Sequence, residues 1–204
     1  DYALLADGLI SLYEATFDVR WLREAESLTE LMIRKFWDPE GKGFFFTSDD
    51  HEALIHRPRE FYDNAIPSGN SVAVSALLRL WRFSGESKWL RCAVSTMETA
   101  AGMIKEHPAA YPNMLCALDS YLGKSMEIAV VGDPRDSQTR ELLHEIFHSY
   151  YPDKVVACGL NPDMPLLRNR LQINGRPTAY VCRNFACDLP VTAARDLGER
   201  LKSM

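Results

Sequence analysis

Apolar residues recur at helical spacing through the first half of the chain. Leu5, Leu9, Leu12 and then Thr16 mark one face, and after the short turn "FDVR" the set Trp21, Ala25, Leu28, Met32 and Phe36 marks a second. The same alternation returns further on. Val74, Leu77, Leu78 and Trp81 predict a helix, "SGES" breaks it, and Leu90, Ala93, Met97, Ala101 and Ile104 predict the next. The two copies align: "LYEATFDVRWLREA" (12–25) and "LWRFSGESKWLRCA" (80–93) share Leu, an aromatic, seven residues, Trp-Leu-Arg, one residue and Ala. Tyr13 falls on Trp81, an offset of 68 (81 − 13). A repeat of that length marks a supersecondary unit, here a helical hairpin. A further helix is expected around "PNMLCALDSYL".

The connections alternate in length. Those inside the hairpins are about four residues, as antiparallel helices use. The one between hairpins runs over 38–69 and contains β-like pieces, "GFFFTS" and "EALIHR". Long connections therefore gather at one end of the helix array, where binding and chemistry usually sit. From about Met126 the pattern changes. "MEIAVVGD", "DKVVACG" and "TAYVC" predict strands, while "SQTRELLHEIFHSYY" and "ARDLGERLKSM" predict helices, together a small α/β unit. "VVGDPRD" lacks the glycine pattern of a dinucleotide site, so no cofactor is expected.

Composition narrows the function classes. A net charge of -5 without basic clusters argues against nucleic acid and anionic membrane as partners. No apolar run approaches the ~20 residues that span a bilayer. The opening "DYALLADGLISLYE" carries acids where a signal peptide needs Lys or Arg. Cys92, Cys116, Cys158, Cys182 and Cys187 are odd in number and lie mostly in apolar contexts. They are expected to be free thiols in a reducing compartment, which predicts a cytoplasmic protein. The "CRNFAC" spacing is not the C-x-x-C of a redox site.

Five segments, "DYALLADGLISLYEAT", "FWDPEGKGFFFTS", "RPREFYDNAIPSGNSVAVSALLRL", "EIAVVGD" and "AYVCRNFACDLPVT", resemble the spermatogenesis-associated protein 20-like family in colinear blocks from end to end. The resemblance implies a longer parent: an N-terminal thioredoxin-like domain followed by an (α/α)6 toroid similar to six-hairpin glycosidases and N-acylglucosamine 2-epimerases. This chain is then the C-terminal part. The expected fold is mainly α, a partial (α/α)6 toroid of helical hairpins over 1–124 followed by a small α/β unit over 125–204. The expected function is carbohydrate-active, of hydrolase or epimerase type, with a sugar-like small molecule and the parent's thioredoxin-like domain as partners. The alternative is a non-catalytic scaffold or protein-interaction domain accompanying that thioredoxin-like domain.

The segment "REFYDNAIPSGNS" is the leading candidate site. Capping by Ser68 or Asn70 accounts for its second half, with Pro67 stiffening the approach and Gly69 supplying a conformation closed to other residues. Capping does not require Glu60, Tyr62, Asp63 and Asn64 to crowd ahead of it. Acids and amides beside aromatics suit a sugar-like ligand, through hydroxyl hydrogen bonds and ring stacking. Asp63 is the first candidate for general acid or base and Glu60 the second, since glycoside hydrolysis needs two carboxylates. Asp7, Arg57, Tyr62, Asn64, Ser68 and Asn70 are the expected substrate-binding residues, with Arg57 suited to an anionic group. Epimerisation would instead recruit a base such as His51 or His56 from the same connection. Phe44, Phe45 and Phe46 are read as packing. "HEIFH" (144–148) is a literal H-E-x-x-H, but Leu142, Leu143, Ile146, Phe147 and Tyr150 are expected to face the sheet and leave both histidines on the polar side. No metal site is expected there.

Overall fold

The computed structural model of the chain describes residues 1–52, 55–148 and 150–202. The chain forms two compact units, Asp1–Trp81 with Glu86–Leu122, and Arg82–Gly85 with Gly123–Met204.

In the first unit, α1 (Tyr2–Thr16) packs against α2 (Val19–Phe36). The face α1 buries is not the leucine stripe. Ala3, Ala6, Ile10 and Tyr13 are buried, while Leu4, Leu5 and Leu12 are exposed. Both stripes have helical spacing, and the alanines allow the closer approach of the two helices. A two-residue ribbon follows, β1 (Trp37–Asp38) antiparallel to β2 (Gly43–Phe44). Next come α3 (Gly69–Ser84), α4 (Ser87–Glu106) and α5 (Pro112–Leu122). Along α3, Val72, Ala73, Val74, Ala76, Leu77, Leu78 and Leu80 are all buried, the pattern of a helix enclosed on most of its circumference, with Ser75 and Arg79 half-buried on the remaining face.

The repeat sets the helix ends. α1 stops at Thr16 and α3 at Ser84, and α2 starts at Val19 and α4 at Ser87, each pair 68 positions apart (84 − 16, 87 − 19). The residue after each stop is left-handed: Phe17 at φ 56° and Gly85 at φ 72°. Gly takes that conformation freely and Phe does not. Phe17 is held there by its N–H, which donates to Tyr13 O at 2.6 Å.

The second unit is built on a four-stranded mixed sheet. β3 (Met126–Val131), buried throughout, lies between parallel β4 (Lys154–Gly159) and antiparallel β5 (Thr178–Arg183), and β6 (Ala186–Cys187) pairs with β5 at the edge. Helix α6 (Ser137–His148) makes the crossover that a parallel pair requires, and α7 (Ala194–Lys202) packs on it. Leu142, Leu143 and Ile146 of α6 are buried as their spacing predicts, but Phe147 and Tyr150 are exposed.

The expected fold class is corrected. The structure is 54% helix and 14% strand with two sheets, one of them four-stranded and mixed. It is not a mainly-α chain, and a partial toroid does not describe it. The apolar runs at 126–131, 154–159 and 178–183 make a sheet that organises a unit of its own. Among the described residues the helical hairpin pattern occurs in two copies, followed by α5. The expected strand at "EALIHR" falls partly on Ala53 and Leu54, outside the described residues.

Candidate functional site

The candidate loop closes on itself through backbone groups. Ser68 precedes α3, and its Oγ accepts the Ser71 N–H at 3.1 Å, so Ser68 is the N-cap. Asp63 is buried. Its Oδ1 accepts the Ser68 N–H at 2.8 Å, and its Oδ2 accepts the N–H groups of Asn113 at 2.9 Å and Met114 at 3.3 Å. Those two amides belong to the first turn of α5, which has no acceptor within its own helix. The carboxylate thus stands where the positive end of the α5 dipole favours an anion. The Asp63 N–H in turn donates to Ala110 O at 2.9 Å.

Asn70 does similar work for the β-ribbon. Its Oδ1 accepts the Phe44 N–H at 2.7 Å, and its Nδ2 donates to Phe44 O and Glu60 O, each at 2.9 Å. The amide replaces the strand that Phe44 lacks on that side. Gly69 takes no left-handed angle, and a Cβ there would meet nothing within 4 Å. The special conformation expected of it is therefore absent, because Gly69 is simply the first residue of α3.

The other candidates separate. Glu60 is exposed and lines a cavity of about 340 Å³ with Tyr2, Phe36, Phe44, Phe46 and Asn70. Tyr62 is half exposed, edge-on to Tyr111 at 6.3 Å, and Asn64 is exposed, its N–H donating to Ile66 O. Arg57 donates from Nη2 to Thr47 O at 2.6 Å and covers the Phe45 ring at 4.2 Å. With His56, Asp38 and Arg59 it lines a second cavity, of about 620 Å³. Asp7 pairs with Arg79 at 2.6 Å, and Arg79 also holds Glu14 at 2.7 Å. His51 is exposed. Of the three phenylalanines, Phe44 packs against Trp37 as expected, whereas Phe46 is 70% exposed.

No protein-family model matches the chain. Curated relatives do. Spermatogenesis-associated protein 20 of Mus musculus is 32% identical over 98% of this chain and 26% of the relative, and the Homo sapiens protein of that name is 32% identical over 98% and 27%. The chain belongs to the spermatogenesis-associated protein 20-like family. It spans about a quarter of the length of these relatives. An uncharacterized protein of Caenorhabditis elegans is 29% identical over 98% of the chain and 28% of its own length. Among the described residues, no helix of this family member is long and apolar enough to cross a membrane.

In the second unit of this family member, His144 and His148 are exposed and their rings stack at 5.3 Å. Among the described residues no group of three His, Cys, Asp or Glu gathers to hold a metal ion. Two cysteines depart from expectation: Cys182 and Cys187 are joined in a disulfide. They are register partners of the β5–β6 hairpin, whose turn residues Asn184 and Phe185 take φ 48° and 63°. Positive φ at both positions is the type I′ geometry, usually supplied by Asn-Gly. The Asn-Phe turn hides that signal, which is why the pairing was not legible. The Phe185 N–H donates to Glu127 Oε2 at 3.1 Å. Burial raises the Glu127 carboxyl above its usual range, while that N–H and the Arg82 guanidinium pull it back. Cys92, Cys116 and Cys158 are free thiols, and burial, with Asp133 adding to it, pushes Cys158 up to about 12.

Proposed function

We propose that this chain is a non-catalytic scaffold within its longer parent, a part that positions or presents the thioredoxin-like domain implied by the family resemblance. One observation carries the reading: both carboxylate oxygens of Asp63, the leading candidate acid, are occupied by backbone N–H groups of Ser68, Asn113 and Met114. A general acid or base needs a lone pair or proton facing the substrate. The test uses the full-length parent, assayed with aryl glycosides and with N-acylated hexosamines. The scaffold reading expects no turnover above blank, and a lower melting temperature for Asp63→Asn. Turnover that Asp63→Asn abolishes at unchanged melting temperature would overturn it.

A carbohydrate-active reading is supported by a different feature, the cavity of about 340 Å³ that sets the Glu60 carboxylate beside aromatic rings. Its volume lies at the lower end of the range for small-molecule sites, ~300–1,000 Å³. Thermal-shift titration with simple hexoses tests it. Stabilisation lost in Glu60→Gln supports a sugar site, and no shift with any hexose removes it. A cytoplasmic location is likewise part of the proposal, supported by the three free thiols.

A further inference from the structure

The Cys182–Cys187 bond has three features that a purely structural staple does not need. The first is asymmetric access: Cys182 is fully buried and Cys187 is exposed. The second is a cation. Arg170 Nη2 lies 3.0 Å from Cys187 Sγ and 3.3 Å from Cys182 Sγ. Arg170 is held in place by its Nη1, which donates to Leu166 O at 2.6 Å. It also lines a cavity of about 590 Å³ with Gly159, Asn161 and Leu171. The third is redundancy. The bond joins residues five apart in sequence, so it restricts the unfolded chain less than a bond closing a longer loop would. The hairpin has its own ladder, including the Asp188 N–H to Val181 O bond at 3.0 Å.

A neutral disulfide gains little from a guanidinium, whereas a thiolate gains a great deal. We propose that Cys182–Cys187 is a reversible thiol–disulfide exchange site, attacked at Cys187 by a dithiol reductant and served by Arg170 as the group that holds the released thiolate.

The chemistry balances as follows. One thiolate of the dithiol attacks Cys187 Sγ, forming a mixed disulfide as the Sγ–Sγ bond breaks. The electron pair leaves on Cys182 Sγ, which faces Arg170 Nη2. The second thiolate of the dithiol attacks its own sulfur in the mixed bond, and Cys187 Sγ departs with that electron pair beside the same guanidinium. The dithiol ends as a disulfide, having given two electrons. Its two protons go to the cysteine sulfurs or to water according to pH. In cytosolic proteins, disulfides that do form are usually transient and functional rather than structural.

The experiment takes the full-length protein through buffers of reduced and oxidised dithiothreitol, traps thiols by alkylation and quantifies the tryptic peptides carrying Cys182 and Cys187. The expected result is full interconversion with an unchanged far-UV circular dichroism spectrum. Arg170→Met should slow alkylation of reduced Cys187 at pH 7 by up to about tenfold, one unit of thiol pKa. It should also shift the equilibrium towards the disulfide, by an amount that approaches tenfold only above about pH 9, where the thiol is ionised. Arg170→Lys should recover part of both. A pair that stays bonded in the folded protein at every dithiothreitol ratio would overturn the proposal, as would equal midpoints above about pH 9 for wild type and Arg170→Met. The wild-type pH profile of Cys187 alkylation decides without any variant. A midpoint below the ordinary thiol value of ~8.5 supports the site, and one at or above that value sinks it.

Discussion

Replacing Asp63 by Ala tests the carboxylate as a clamp. The change removes two short hydrogen bonds, at 2.8 Å to Ser68 N–H and 2.9 Å to Asn113 N–H, and a longer one at 3.3 Å to Met114 N–H. Hydrogen bonds to a charged acceptor contribute about 1.5–3 kcal/mol each. The site is buried, so water does not readily replace the lost acceptor. The two short bonds alone give roughly 3–6 kcal/mol, and about 4 kcal/mol is the expected loss. At about 2–4 °C per kcal/mol for a chain of this size, the melting temperature falls by about 8–16 °C. Asp63→Asn keeps one acceptor oxygen and turns a donor towards the remaining amides, so about half the loss is expected. Urea unfolding followed by circular dichroism measures the size, and amide hydrogen exchange at Ser68, Asn113 and Met114 gives the local readout. If both variants unfold within about 0.5 kcal/mol of wild type, a range usual for surface changes, and those amides keep their protection, the clamp reasoning is wrong.

Three further outcomes are expected. Asn70→Ala leaves the Phe44 N–H and C=O without their side-chain partner and should cost about 2–4 kcal/mol in urea unfolding, with faster exchange at the Phe44 amide. Gly8→Ala and Gly102→Ala lie inside α1 and α4 with no atom within 4 Å of the new Cβ, so each should stabilise by about 0.5–1 kcal/mol, and a loss of stability would contradict that. Asp133 is held at about 2 by hydrogen bonds from the Arg135 side chain and backbone. Because its folded value is lowered, the contribution is present above the ordinary carboxyl value of 3.8 and is lost as pH falls through about 2. NMR titration of the Asp133 carboxyl should show that midpoint, and Arg135→Met should return it towards 3.8.

Local pattern located the elements better than it located their partners. The repeat placed both helix–turn–helix junctions because the same short polar break recurs 68 positions on (84 − 16), so Phe17 and Gly85 stop their helices alike. Strand pattern at 126–131 and 154–159 was equally plain, since a sheet buried on both faces leaves continuous apolar runs. What stayed hidden was non-local. Asp63 looks like a reactive acid in sequence because the amides it satisfies, on Asn113 and Met114, come some fifty residues later. Asn70 resembles a ligand-binding amide until Phe44, 26 residues earlier, is seen to need it. The leucine stripe of α1 has the right period but the wrong face, because helical spacing does not say which of two stripes a neighbour will cover. In the hairpin 183–186, turn residues without glycine concealed the geometry that sets two cysteines opposite each other.

The Asn70 amide also gathers Phe44 and Glu60, the two ends of one long connection, onto a single side chain. Between those ends the connection is fastened to α2 as well: the Phe45 N–H donates to Phe36 O at 2.8 Å, the Asp49 N–H donates to Lys35 O at 2.9 Å, and Lys35 pairs with Asp49 and Asp50. Lengthening such a segment has a small entropic cost, about 0.6 kcal/mol per doubling. His51 and Glu52, both exposed and beyond the last of those ties, therefore mark a position where a foreign peptide can be carried while the two hairpin copies keep their arrangement. In this chain, a residue that looks built for recognition is what makes room for sequence that need recognise nothing.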